Sequence, residues 1–167
     1  MSQEPRLEPY SWQQADIDKA VKSISPTAGA LVVSAPGAGK TVVATEILRE
    51  LKPQIILIIA PPSTHINAWA RTVRRQGLAD VVKPLLGTAP GKRNFEALRW
   101  GEAGVYITSA QWFTRTDWTG IEIDAIVVDE IHMLAKYGNA GMKRLVGHGR
   151  KKGITAPIRI GLSGTPF

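Results

Sequence analysis

The chain has 167 residues, 44% of them hydrophobic, which suits one domain with its own core and excludes a disordered polypeptide. It has no cysteine, so disulfides and thiolate metal sites are excluded, and His65, His132 and His148 lack the paired spacing of a zinc site. Its 21 Lys and Arg against 14 acids leave a net charge of +7, which suits either a polyanionic partner or a solubility surplus with no target.

The N-terminus from Met1 to Pro9 is polar and carries both charges and prolines, so it does not read as a signal peptide. A helix is predicted over 12–23, with Ser11 as its N-cap. The strand Ala30–Val33 runs into a small-residue loop, and a second helix is predicted over 40–51, stopped by Lys52-Pro53. Next comes the strand Ile55–Ala60, the longest purely aliphatic run and far too short to cross a bilayer. These features together describe a soluble, cytoplasmic protein without a membrane partner. Thr64 caps a third predicted helix that ends near Gln76, before Gly77. Val81–Leu86 is a weaker strand, followed by a helix over 94–100. The strands Val105–Thr108, Ala125–Val128 and Ile158–Leu162 complete the set. Gly138 to Gly153 is glycine-rich and basic and reads as a surface segment that can hold a short helix at Ala140–Val146. Most strands are continuous apolar runs rather than alternating ones, and they alternate with helices. That pattern predicts an α/β fold with a parallel, doubly wound sheet covered on both faces.

The loop Ser34-Ala35-Pro36-Gly37-Ala38-Gly39-Lys40-Thr41 joins a strand to a helix, the context that a phosphate-binding loop requires. Pro36, Gly37, Ala38 and Gly39 are small or turn-forming, so backbone N–H groups can converge on phosphate oxygens at a helix N-terminus. Lys40 would contact the β- and γ-phosphates and the Thr41 hydroxyl would coordinate Mg²⁺, with Val42 completing the nucleotide-contacting stretch. Ser34 stands where the pattern begins with glycine, a small exchange at a position whose contacts come from the backbone.

Ile126-Val127-Val128 ends in Asp129-Glu130, and ligands of open α/β sheets gather beyond the carboxyl ends of strands. Asp129 would hold Mg²⁺ directly or through water, and Glu130 would orient and deprotonate an attacking water. Two adjacent carboxylates repel each other, so they need a cation nearby. Lys40, Asp129 and Glu130 are therefore the candidate catalytic residues, and ATP with Mg²⁺ the expected cofactors.

These motifs resemble those of superfamily 2 helicases, and the chain is most similar to the N-terminal RecA-like lobe of Swi/Snf-type double-stranded DNA translocases. The resemblance covers the chain from about Leu7 to Phe167. Asp129-Glu130-Ile131-His132 stands at the Asp-Glu-x-His box, and Ser163-Gly164-Thr165-Pro166 at motif III. Trp12-Gln13-Gln14 resembles the segment whose glutamine reads adenine, with Ser11 where a proline is common. Ala60-Pro61-Pro62-Ser63 followed by Asn67-Ala68-Trp69 is similar to motif Ia, and Ile107-Thr108-Ser109-Ala110 to motif Ib. The resemblance implies a P-loop NTPase fold, a RecA-like three-layer sandwich with a mainly parallel central sheet. It implies that Gln13 lies at the adenine, that Ser63, Thr64 and Ser109 hold nucleic-acid phosphates, and that His132 meets Ser163 or Thr165. That last contact would couple the nucleotide site to the bound strand.

Arg71, Arg74 and Arg75 recur at helical spacing behind motif Ia, which suits either phosphate contact or a solvated helix face; Arg71 is the candidate contact. The basic run Lys143, Arg144, Arg150, Lys151 and Lys152 carries the same two readings. Trp69, Trp100, Trp112 and Trp118 are expected in the core or at a lobe interface rather than stacked on bases. In the resembled family a second lobe supplies an arginine to the γ-phosphate. The sequence stops just after motif III, so one ATP-binding lobe over 1–167 is expected, served by a second RecA-like lobe in cis or in trans. The expected activity is ATP-driven movement on double-stranded DNA. An RNA-directed ATPase and a binding half without turnover are the alternatives.

Overall fold

The computed structural model of the chain describes residues 4–33, 39–61, 64–135 and 153–164. The helix predicted at Ala140–Val146 and the basic run around it lie outside the described residues. Among the described residues six parallel strands form one sheet: β1 (Ala30–Val33), β2 (Ile55–Ala60), β3 (Val82–Pro84), β4 (Gly104–Ser109), β5 (Ala125–Val128) and β6 (Ile158–Ser163). Their spatial order is β1-β6-β5-β2-β4-β3. Parallel neighbours need crossover connections. Here the helices are α1 (Ser11–Ser23), α2 (Lys40–Leu51), α3 (Thr64–Arg75), α4 (Ala89–Arg99), α5 (Ala110–Arg115) and α6 (Ile131–Ala135). The expected α/β, RecA-like sandwich is the fold observed.

Side chains alternate across a strand, and this splits the core into two layers. Ile56, Ile58, Val105, Ile107, Ala125 and Val127 face α1, α2 and α3, where Ile17, Ile47 and Val73 meet them. Leu57, Ile59, Tyr106, Ile126 and Val128 face the other way, onto Leu98, Phe113 and Trp118. Phe95, Trp112 and Trp118 pack edge to face, at centroid distances of 5.3 Å (Phe95–Trp112) and 5.6 Å (Phe95–Trp118). The amino end of β2 is pinned by Asp124, whose Oδ2 accepts from the Gln54 and Ile55 N–H groups, both at 2.8 Å.

Several expectations shift in detail. Tyr10 rather than Ser11 caps α1, because Gln13 Oε1 accepts the Tyr10 N–H at 2.8 Å and draws the helix start one residue earlier. The helix predicted at 94–100 begins at Ala89: the Thr88 hydroxyl accepts the Gly91 N–H, and Pro90 fits the first turn where no N–H is needed. A Cβ at position 91 would run into the Leu86 backbone, so glycine permits that tight entry. β1 is not covered on both faces: it is an edge strand, with Leu31 and Val33 exposed. Of the two places expected for Trp100, the core is ruled out: it is 86% exposed, at the C-cap of α4 just before the left-handed turn at Gly101. At the other edge, short β3 carries Lys83, whose ammonium pairs with Glu102 at 2.7 Å and lies 5.3 Å from the Tyr106 ring centre. The hydrogen bond to Glu102 raises the Lys83 pKa, and burial raises that of the Tyr106 phenol.

The N-terminal arm is strapped to the helices by buried polar groups. Gln76 is fully buried; its Oε1 accepts the Leu7 N–H at 2.9 Å and its Nε2 donates to the Leu7 carbonyl at 3.0 Å. The same Nε2 reaches Glu46 Oε1 at 3.3 Å, and Arg6 pairs with Glu46 Oε2 at 3.3 Å. Replacing Gln76 by Leu strands these partners in a dry site, so Gln76→Leu is expected to lower unfolding stability by about 1–3 kcal/mol. Urea unfolding checks this, and trypsin should then cut at Arg6 first.

Candidate functional site

The carboxyl ends of β5, β2, β4 and β6 bring the predicted residues to one edge of the sheet. The register pairs Ile59 with Val128, Ala60 with Ser109, and Val33 with Ser163. Asp129 and Glu130 follow β5 directly, and the Asp129 N–H still donates to the Ile59 carbonyl at 2.9 Å. The acidic pair is therefore fixed to the sheet by a main-chain bond.

Gly39 opens α2 in the left-handed conformation, with φ of 79°. A Cβ there would stand 2.5 Å from Gln13 Nε2. Glycine is thus required twice, by its dihedral angle and by the amide lying against it. Gln13 is almost fully buried, and α1 packs along α2. The glutamine named from the adenine-reading segment thus sits beside Gly39, the residue before Lys40. Lys40 and Thr41 occupy the first turn of α2, both half-buried, and Val42 is buried behind them. Pro36, Gly37 and Ala38 lie outside the described residues.

Glu130 sits between two nitrogen-bearing side chains. Its Oε1 is 3.1 Å from Lys40 Nζ, and its Oε2 is 3.3 Å from His132 Nδ1. His132 Nδ1 is also 3.2 Å from the hydroxyl of Ser163, a buried residue at the end of β6. Lys40, Glu130, His132 and Ser163 thus form one chain of contacts from α2 to β6. Glu130 has φ of 49°, an uncommon conformation for a residue with a side chain. Such a residue costs about 1–2 kcal/mol, and it persists where the surroundings over-determine it. The turn lets Asp129 and Glu130 face different partners although they are adjacent. Thr165, the other residue expected to meet His132, lies outside the described residues.

Asp129 has a partner that the motifs did not supply. The Trp69 indole Nε1–H donates to Asp129 Oδ2 at 2.9 Å. Trp69 is buried, in the row Ile66, Trp69 and Val73 that α3 turns to the core. The sequence places Trp69 in the segment similar to motif Ia and predicts it in the core or at a lobe interface. The indole N–H needs a partner when buried, which was the available signal, but spacing alone does not name a carboxylate sixty residues further on as that partner.

Among the described residues, no group of three or more His, Cys, Asp and Glu could hold a metal alone. That fits magnesium, which binds through one or two carboxylates, waters and substrate phosphates rather than a protein cage. The oxygen donors here are the Asp129 carboxylate and the Thr41 hydroxyl, hard ligands suited to that ion. Glycine at position 39 keeps the start of α2 in the left-handed conformation with the Gln13 amide against it. The residues therefore fit a magnesium-nucleotide.

The expected nucleic-acid residues fall at the same edge or on the helix leaving it. Ser109 ends β4 and caps α5, its hydroxyl accepting the Trp112 N–H at 3.1 Å. Arg71 is exposed on α3 and, with Arg74, Arg75, Glu4 and Asp80, lines a surface groove. Thr64 is the first residue of α3, and Ser63 lies outside the described residues. No described helix is long and apolar enough to cross a membrane.

The fold is shared with solved helicase structures. The Sulfolobus solfataricus SWI2/SNF2 ATPase core, solved in complex with dsDNA, superposes with a TM-score of 0.68 at 14% identity, over 98% of this chain and 34% of that one. The Hef helicase domain of Pyrococcus furiosus gives 0.61 at 21% identity, over 95% and 33%. The UvsW helicase of bacteriophage T4 gives 0.66 at 17% identity, over 98% and 55%. This chain thus spans between a third and just over half of those proteins, and no curated protein matches it. Over residues 6–167 the sequence matches the family described as "Type III restriction enzyme, res subunit". The chain belongs to that family, and its fold is the one shared by these ATPase and helicase structures.

Proposed function

We propose that the chain binds Mg-ATP at Lys40, Thr41 and Asp129 and couples its hydrolysis to movement on double-stranded DNA. The observation that carries this is the contact chain Lys40–Glu130–His132–Ser163 at the carboxyl edge of the sheet. Gln13 holds the adenine, and the loop from Pro36 to Val42 surrounds the phosphates. The Lys40 ammonium has three donors, so it can serve the γ-phosphate and Glu130 together. Glu130 takes a proton from water as the water oxygen attacks the γ-phosphorus and the bond to the β-phosphate oxygen breaks, releasing ADP. The bound magnesium would neutralise phosphate charge during that step. Asp129 and Thr41 orient the phosphates from the protein side.

His132 and Ser163 carry the state of the γ-phosphate site towards β6, and Thr165 shares that role. Ser63, Thr64, Ser109 and Arg71 contact phosphates of the nucleic acid. A nucleic-acid partner is supported by the net charge of +7, and double-stranded DNA by likeness to an ATPase core solved with dsDNA. A second RecA-like lobe, in cis or in trans, supplies the arginine that stabilises the transition state.

ATP turnover measured alone, with duplex DNA and with duplex RNA tests this. Stimulation by duplex DNA is the expected result, weakening steeply with salt. Greater stimulation by RNA would move the reading to an RNA-directed ATPase. DNA binding that neither stimulates turnover nor responds to nucleotide would leave a binding module.

A further inference from the structure

We propose that Trp69 is a positioning residue: its indole N–H aims the Asp129 carboxylate at the magnesium of a bound nucleotide, and α3 thereby ties the nucleic-acid face to the metal site. The inference rests on the nucleotide-site reading above and deepens it.

The geometry is specific. One carboxylate oxygen of Asp129, Oδ2, takes the indole proton at 2.9 Å, which leaves Oδ1 for a cation or its waters. The Asp129 main chain is held by Ile59, so the side chain is the remaining freedom, and Trp69 fixes it. Trp69 itself has little room to move: it is 2% exposed and wedged in the core layer with Ile66 and Val73. A partner that orients a metal-binding carboxylate sets affinity for the ion, and its loss costs about 10–100-fold.

The same helix begins at Thr64, where the chain leaves β2 at the site edge, and it carries Arg71 on its exposed face. Trp69 stands between these two candidate phosphate contacts. A strand of nucleic acid held on the outer face of α3 would therefore act on the helix that carries the indole as one body, and through it on the carboxylate. The hydrogen bond from Trp69 to Asp129 joins α3 to the acidic pair.

The test uses the five indole N–H signals of the chain in a proton–nitrogen NMR spectrum, with the Trp69 signal assigned by its loss in Trp69→Phe. Adding Mg²⁺ to wild type saturated with a slowly hydrolysed ATP analogue should shift the Trp69 indole signal, and the shift should vanish in Asp129→Ala. In Trp69→Phe the Mg²⁺ concentration that half-saturates the enhancement of analogue binding should rise about tenfold, with metal-free analogue affinity unchanged. A merely structural role would lower thermal stability and leave the Mg²⁺ dependence where it was. An unmoved indole signal in nucleotide-bound wild type, or an unchanged Mg²⁺ dependence in folded Trp69→Phe, overturns the inference and leaves the nucleotide reading intact. A wild-type chain that binds no magnesium-nucleotide overturns both.

Discussion

Glu130→Gln is expected to slow ATP turnover by about 10²–10⁴-fold, the usual contribution of a positioned general base, while leaving nucleotide affinity within about twofold. The amide keeps the length and shape of the side chain, so the left-handed turn at φ of 49° and the packing of α6 are retained. It still accepts a hydrogen bond from Lys40, 3.1 Å away in the native pair. What it loses is the ability to take a proton from water. Single-turnover measurements with protein in excess over ATP, with duplex DNA present, separate the chemical step from slow product release. Turnover equal to wild type would show that Glu130 is not the base and that its contacts with Lys40 and His132 are structural.

Lys40→Ala is expected to have its largest effect on binding. The substitution removes a charged donor to phosphate, a loss of about 1.5–3 kcal/mol, which is about 10–150-fold in affinity. It also leaves Glu130 with His132 as the remaining described partner of its carboxylate. The ion pair with Lys40 is only partly buried, at 12% and 29% side-chain exposure, so its removal should change folding stability little. The stabilisation that nucleotide binding gives to the folded chain should be mostly lost. A thermal-shift titration with ATP and Mg²⁺ measures both effects: the midpoint without nucleotide should move little, and the increment on adding nucleotide should shrink. An undiminished increment would place the phosphates elsewhere.

The strands were legible because a parallel sheet buries both faces of its central strands. Ile55–Ala60 and Ala125–Val128 stand where their apolar runs predict them. Edges were less so: a run such as Ala30–Val33 has the same composition whether or not another layer covers it, and β1 proves to have an open face. Helices that lack a periodic apolar stripe were missed. The α5 helix is only six residues and is set by the Ser109 cap, and α4 starts five residues early because of its cap and proline. Within the site, the phosphate-loop and acidic-box residues were legible as motifs, since their chemistry demands fixed residue types at short spacing. The contacts between elements were not. Nothing in local spacing says that Gln13 lies against Gly39 or that Trp69 reaches Asp129. Such pairs are made by sheet order, where β5 lies beside β2 and brings the helix that follows β2 over the end of β5.

Titration of the wild-type chain with a slowly hydrolysed ATP analogue, in Mg²⁺ and again with the metal chelated, tests the central claim most directly. The account predicts saturable binding at one site, displaced by ADP and markedly tighter with Mg²⁺. Absence of saturable binding, or binding equally tight without the metal, would contradict a magnesium-nucleotide site built from Lys40, Thr41 and Asp129.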